Sequence, residues 1–207
     1  MKPITALFSL VFAASLAAAP KGQLTYETPA AAAKDPDFSI QGEYTGEGMD
    51  GEGKQSKLGL QIVALGAGTF QATAFGGGLP GAGWDGDNKW VYSGKRKGED
   101  KASFANDQSP ISLHYLKGKV IAAKGDQKVG AFEKVTRKSP TLGAKAPKGA
   151  KVLFGGKDNG TLDQLKITDD GLMKEGAITK DKFQSFKLHV EFRLPFKPTA
   201  RGQARGN

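Results

Sequence analysis

The residues best suited to chemistry lie near the C-terminus, where Phe186-Lys187-Leu188-His189-Val190-Glu191-Phe192-Arg193-Leu194 alternates apolar with polar throughout. In an extended chain, successive side chains point to opposite faces and residues two apart lie ~6.6 Å from each other on one side. This pattern predicts a strand that buries Phe186, Leu188, Val190, Phe192 and Leu194. It would display Lys187, His189, Glu191 and Arg193 in one row. An imidazole that titrates near neutrality, a carboxylate and a guanidinium in such a row can move a proton and hold a developing oxyanion. An amphipathic strand with one solvated charged face has the same pattern, so residue types alone leave both readings open.

The elements that must position this row read as β-structure. From Phe38 onward, short apolar runs alternate with glycine and Asp/Asn turns: Ser39–Tyr44, Leu58–Ala64, Thr69–Phe75, Trp90–Ser93, Ala102–Phe104, Ile111–Tyr115, Lys119–Ala123 and Ala131–Val135. Gly66-Ala67-Gly68 and Leu116-Lys117-Gly118-Lys119 have hairpin-turn composition. Regular short strands with no helical period between them predict a small antiparallel sandwich or barrel over 37–136. Residues 137–150, Arg-Lys-Ser-Pro-Thr-Leu-Gly-Ala-Lys-Ala-Pro-Lys-Gly-Ala, lack any apolar period and read as a linker. A second β-rich segment is expected over 151–207. In it Gly155-Gly156 and Asp169-Asp170-Gly171 form turns and Leu172–Thr179 a strand, before the row at 186–194.

The N-terminus has the layout of an export signal: Lys2, then the apolar run Ile4–Ala19, with small residues suiting cleavage after Ala17. Residues 1–17 are read as a cleavable signal and 18–36 as a flexible lead-in, which predicts a secreted or periplasmic protein without stable membrane insertion once cleaved. No cysteine is present, which excludes disulfides, thiolate chemistry and a lipidated Cys; with only two histidines the composition also argues against a structural zinc site. The formal charge of +9 comes from basic residues interleaved with acids, as in Lys95-Arg96-Lys97-Gly98-Glu99-Asp100-Lys101. A diffuse pattern of this kind is a solvated surface and argues against a nucleic-acid partner.

Three other features read as structural. Gly81-Ala82-Gly83-Trp84-Asp85-Gly86 matches the glycine spacing of a dinucleotide loop but lacks the strand before it and the helix after it. Asp85, Asp87 and Asn88 lack the later bidentate Glu of a calcium loop and read as a turn. His114, in an apolar strand candidate, reads as a hydrogen-bonded structural residue.

Residues 151–207 resemble the opening of the 3-keto-disaccharide hydrolase domain family. The similarity is carried by Val152-Leu153-Phe154-Gly155-Gly156, by Gly171-Leu172-Met173, and by the run from Thr179 to Arg193. It continues from Pro195-Phe196 to Ala200-Arg201-Gly202-Gln203-Ala204-Arg205-Gly206-Asn207, which is similar to the approach to the family's Gly-Asn-Ser-Gly signature. Gln41-Gly42-Glu43-Tyr44 and Gly78–Gly86 resemble a leader domain found in some of these proteins. Where the family often has a Trp after its opening strand, this chain has Thr161-Leu162-Asp163-Gln164.

The resemblance implies an all-β protein, with a leader sandwich or barrel followed by a concanavalin-like jelly roll. That jelly roll is incomplete at Asn207, so its second domain is expected to be poorly stabilised. It also implies carbohydrate as the partner and cleavage of 3-keto-glycosides as the activity. Glu191 or His189 would be the base, Arg193 the oxyanion stabiliser, and Lys187 and Asn207 would bind substrate. A divalent metal is compatible with that chemistry, and the sequence names no ligands for one. A non-catalytic carbohydrate-binding module, with Trp84 and Trp90 stacking on sugar rings, and an envelope structural protein are the competing classes, because fold alone does not decide function.

Overall fold

The structure is a computed structural model that describes residues 24–50 and 52–205. The expected signal at 1–17 lies outside the described residues. The chain divides into two compact units, one comprising residues up to Thr136 together with Leu194 onward, the other Arg137–Arg193.

The first unit is a closed eight-stranded antiparallel barrel in which each strand pairs with the next and the last pairs with the first. Its strands are β1 (Gly42–Met49), β2 (Gln55–Gly66), β3 (Thr69–Gly76), β4 (Lys89–Arg96), β5 (Lys101–Ala105), β6 (Ile111–Leu116), β7 (Lys119–Lys124) and β8 (Gln127–Val135). The turns read from sequence make the hairpins. Ala67 and Gly68 (φ 51° and 70°) join β2 to β3, and Lys117 and Gly118 (φ 46° and 87°) join β6 to β7. Two consecutive left-handed residues give the turn whose twist matches the flanking strands.

Closure requires the interior to be filled, and alternation supplies the filling. Tyr44, Leu60, Ile62, Phe70, Phe104, Leu113, Tyr115, Val120 and Phe132 point inward and are buried. Between the large side chains sit Ala64, Ala72, Ala102 and Ala122. Tyr44 meets Tyr115 edge-on at 6.4 Å, and the rings of Phe70 and Phe104 are 6.0 Å apart. A Cβ at Gly94 would strike the Phe104 ring, and one at Gly46 would fall on the Ala131 carbonyl across the β1–β8 seam. The lumen is therefore a packed core.

One end of the barrel is plugged. The sequence reading expects a strand from Ser39, but Pro36–Ile40 is a short helix, α2 (after α1, Pro29–Ala32), and β1 starts only at Gly42. Local signals explain the difference: the Asp35 carboxylate accepts from the Asp37 N–H at 2.9 Å, and Pro36 opens the first turn. Ile40 is fully buried, and its carbonyl accepts the Tyr44 hydroxyl at 2.6 Å. Asp37 is 2% exposed; its carboxylate accepts from the Gly68 N–H at 2.8 Å and from Arg96 Nε at 2.9 Å. Helix, β2–β3 turn and β4 are thus locked together by one carboxylate.

Two further segments pack on the barrel. From Leu24 on, the segment expected to be a flexible lead-in is tied to the barrel. Tyr26 and Phe196 exchange backbone hydrogen bonds of 2.9 and 3.0 Å and stack their rings 5.7 Å apart. Residues from Leu194 onward, placed by sequence in the second domain, group with the barrel. Phe196 and Ala200 are buried there, and Arg201 and Arg205 donate to the carbonyls of Leu65 (2.7 Å) and Ala64 (3.1 Å) at the end of β2.

The second unit has little regular structure. Its ladder is β9 (Leu162–Asp163) against β10 (Ile178–Thr179). The strand expected over Leu172–Thr179 is confined to that last pair, because Thr168 N–H bonds to the Leu172 carbonyl and turns the chain at Asp169-Asp170-Gly171. Leu162 is the one buried residue among those of this unit. A jelly roll is not formed by the described residues.

Removing the Asp37 carboxylate would leave the Gly68 N–H without its acceptor and Arg96, itself 29% exposed, without its charge partner. Asp37→Ala is expected to destabilise the barrel by about 3 kcal/mol in urea unfolding, the low end for a broken buried pair because Arg96 can rehydrate. Arg96→Ala added to it should cost less than the sum of the two single changes. Additive losses would show that the pair is not coupled.

Candidate functional site

Residues 186–194 form no helix, turn or bend, and the strand expected there is not formed. Among the described residues, no backbone hydrogen bond is made by this stretch. The buried face expected of it is also absent: Phe186, Leu188, Val190, Phe192 and Leu194 are 57–76% exposed. Apart from an edge-on contact of Phe186 with Phe183 at 6.2 Å, these side chains stay in solvent, so alternation alone does not bury them.

The polar row is partly assembled. His189 Nε2 lies 3.1 Å from Glu191 Oε1, so the imidazole and the carboxylate two residues on share one side as the period requires. Glu191 Oε1 also accepts the Gly143 N–H at 2.5 Å, a contact from the segment read as a linker. The His189 contact first, and the Gly143 N–H second, hold the Glu191 carboxyl below its usual range. It is a carboxylate at neutral pH.

Arg193 is engaged elsewhere: its guanidinium bonds Asp170 at 2.5 Å. Asp170 also accepts the Thr168 hydroxyl at 2.6 Å. Arg193 first, then Thr168, pull the Asp170 carboxyl down to about 2. Lys187 is exposed on the same stretch. Asn207 lies outside the described residues. The structure thus brings His189 and Glu191 together, and places Arg193 on a separate carboxylate.

Gly143 and Asp170 were not legible as site residues. The first sits in a stretch with no periodicity and the second in a turn motif, and nothing in linear order couples either to positions 191 and 193. Among the described residues no three His, Asp or Glu side chains gather as metal ligands.

The tryptophans raised by the binding-module reading have structural employment. Trp84 lies edge-on to Phe75 at 5.2 Å and donates its indole N–H to the Asn88 carbonyl at 3.1 Å. Trp90 packs against the barrel core. Asp85 caps the same loop, accepting from the backbone of Asp87 and Asn88 (2.9 Å each) and from the Asn88 amide, as the turn reading expects. His114, exposed on β6, contacts the Ser112 hydroxyl at 2.9 Å.

The fold therefore defines an all-β chain whose closed barrel accompanies a strand-poor unit carrying the polar row. Comparison with known protein families, with curated proteins and with solved structures returns no match.

The Arg193–Asp170 contact has a direct signature. By carboxyl NMR, Asp170 should titrate near 2 in the native chain and move up toward the ordinary ~3.9 in Arg193→Ala. A carboxyl depressed in the folded state stabilises above its ordinary value, and that contribution disappears as pH falls through the lowered one. Acid lability between about 4 and 2 should therefore lessen in the variant. An unmoved Asp170 midpoint would contradict the contact.

Proposed function

We propose that this chain belongs to a secreted carbohydrate-active protein that cleaves 3-keto-glycosides, with the second unit carrying the proton-transfer groups as part of a jelly-roll domain. One observation carries the reading: the 3.1 Å contact between His189 Nε2 and Glu191 Oε1 on an extended, accessible segment. The similarity of the flanking residues to the 3-keto-disaccharide hydrolase domain supports it.

The chemistry follows from the substrate class. A ketone at C3 acidifies the proton on C2. With Glu191 ionised and facing Nε2, the imidazole keeps its proton on Nε2 and presents Nδ1 as the acceptor. The C2–H pair then passes into the enolate, whose charge rests on the C3 oxygen. Collapse of the enolate restores the C3 ketone, forms the C1–C2 double bond and expels the C1 oxygen substituent, which departs with the proton held on Nδ1; addition of water across that bond completes net hydrolysis. Arg193 is the group for the enolate oxygen. It can reach that oxygen while keeping its contact with Asp170, because one guanidinium has donors enough for both carboxylate and substrate. Lys187, exposed two residues before His189, would hold sugar hydroxyls.

General-base catalysis by an oriented side chain contributes roughly 10²–10⁴-fold. Glu191→Gln removes the charge that fixes the imidazole, so release of the aglycone from a 3-keto-glucoside by the full chain should slow by about a hundredfold. Undiminished turnover would take Glu191 out of the mechanism. Binding of the glycan with no release by either protein would move the assignment to a non-catalytic module.

A further inference from the structure

The stretch Phe186–Arg193 combines three properties that seldom coexist on a finished surface. It is free of helix, turn and bend, its backbone N–H and C=O groups make no backbone hydrogen bond among the described residues, and its alternate large apolar side chains are exposed. A free edge of this kind is a template for another strand. We propose that it pairs antiparallel with the same stretch of a second copy of this chain.

Charge selects that occupant and its register. In an antiparallel pair, residues directly opposite share a face, so only registers that set even positions against even ones keep the apolar rows together. Parallel in-register pairing would stack Lys187 on Lys187, Glu191 on Glu191 and Arg193 on Arg193, and like charges directly opposite are destabilising. Antiparallel pairing centred on Val190 would set Lys187 against Arg193 twice. Centred on His189, it sets Lys187 against Glu191 of the second copy twice, and Arg193 against the neutral Ser185. The same register lays Phe186 over Phe192 and Leu188 over Val190, aromatic with aromatic and aliphatic with aliphatic. The segment is self-complementary, as a two-fold interface requires. Glu191 keeps its contacts to His189 and Gly143 through Oε1, which leaves Oε2 for the incoming ammonium. The two His189 side chains become neighbours on the polar face. This pairing does not depend on the catalytic reading.

The test is charge exchange in the full chain, read by light scattering and sedimentation across protein concentration. The native chain should be a concentration-dependent dimer. Lys187→Glu and Glu191→Lys should each weaken association at least about tenfold, because two attractive pairs become repulsive. The double exchange should restore it. Hydrogen exchange should show protection of residues 186–193 rising with concentration. A native chain that stays monomeric overturns the proposal. Monomers with slowly exchanging amides at 186–193 would do so in favour of a cover from within one chain. Single and double exchanges that associate alike overturn it in favour of unregistered apolar sticking.

Discussion

An eight-stranded barrel can close only if its lumen is filled, and that volume constraint governs most of this chain. Every inward position must be apolar, and its size is set by the residue facing it. Phe104 can lie across the lumen because Gly94 presents no Cβ to it, and β1 can approach β8 because Gly46 leaves room for the Ala131 carbonyl. The glycines that look like mere punctuation in the sequence are in these cases packing residues. A barrel filled in this way has side chains at its centre in place of a channel.

Filling the lumen leaves the ends to be sealed, and here polar chemistry substitutes for apolar volume. α2 inserts Ile40 and carries Asp37 into a site from which water is excluded. A buried carboxylate is tolerable only when paired and hydrogen-bonded, and Asp37 is both. No buried side-chain nitrogen or oxygen among the described residues lacks a partner. The ion pair contributes position as well as energy. It fixes the helix against the β2–β3 turn and against β4, and so determines which residue of α2 enters the barrel mouth. The segment around Phe196 adds arginine-to-carbonyl bonds at the end of β2, with main-chain acceptors that any sequence would offer, to the packing of the Phe196 ring on Tyr26 and Phe38.

That difference explains what was legible in the sequence. Seven of the eight barrel strands could be read because each buries alternate residues on a single curved face, which stamps a period of two on the chain. The first was displaced because the Asp35-Pro36 capping signal outweighs the apolar character of Phe38 and Ile40 over so short a span. The Tyr26–Phe196 pairing could not be read, since it joins positions far apart in the chain through backbone atoms. In the candidate site, the juxtaposition of His189 and Glu191 was legible from the period alone. The capture of Arg193 by Asp170 was not, because it depends on where a loop places a carboxylate. Alternation put His189 and Glu191 on one side, and it says nothing about whether an apolar surface waits opposite them.

The two units therefore stand at opposite ends of one physical scale. In the barrel every apolar row faces another, and burial of Phe70, Phe104 and Phe132 stabilises at roughly 25 cal/mol per Å² of area removed from water. Over 186–194 an equally good row faces solvent, and among the described residues its backbone groups make no backbone hydrogen bond. A site needs its groups held to within about half an ångström by packed neighbours, yet His189 and Glu191 are held by each other and by one N–H from a loop. Whatever covers the apolar side of this strand must therefore do more than remove grease from water. By pairing its backbone it would flatten the segment into a ladder and fix the spacing of alternate side chains. The imidazole and carboxylate would then be positioned by main-chain hydrogen bonds, which no loop contact can match for rigidity.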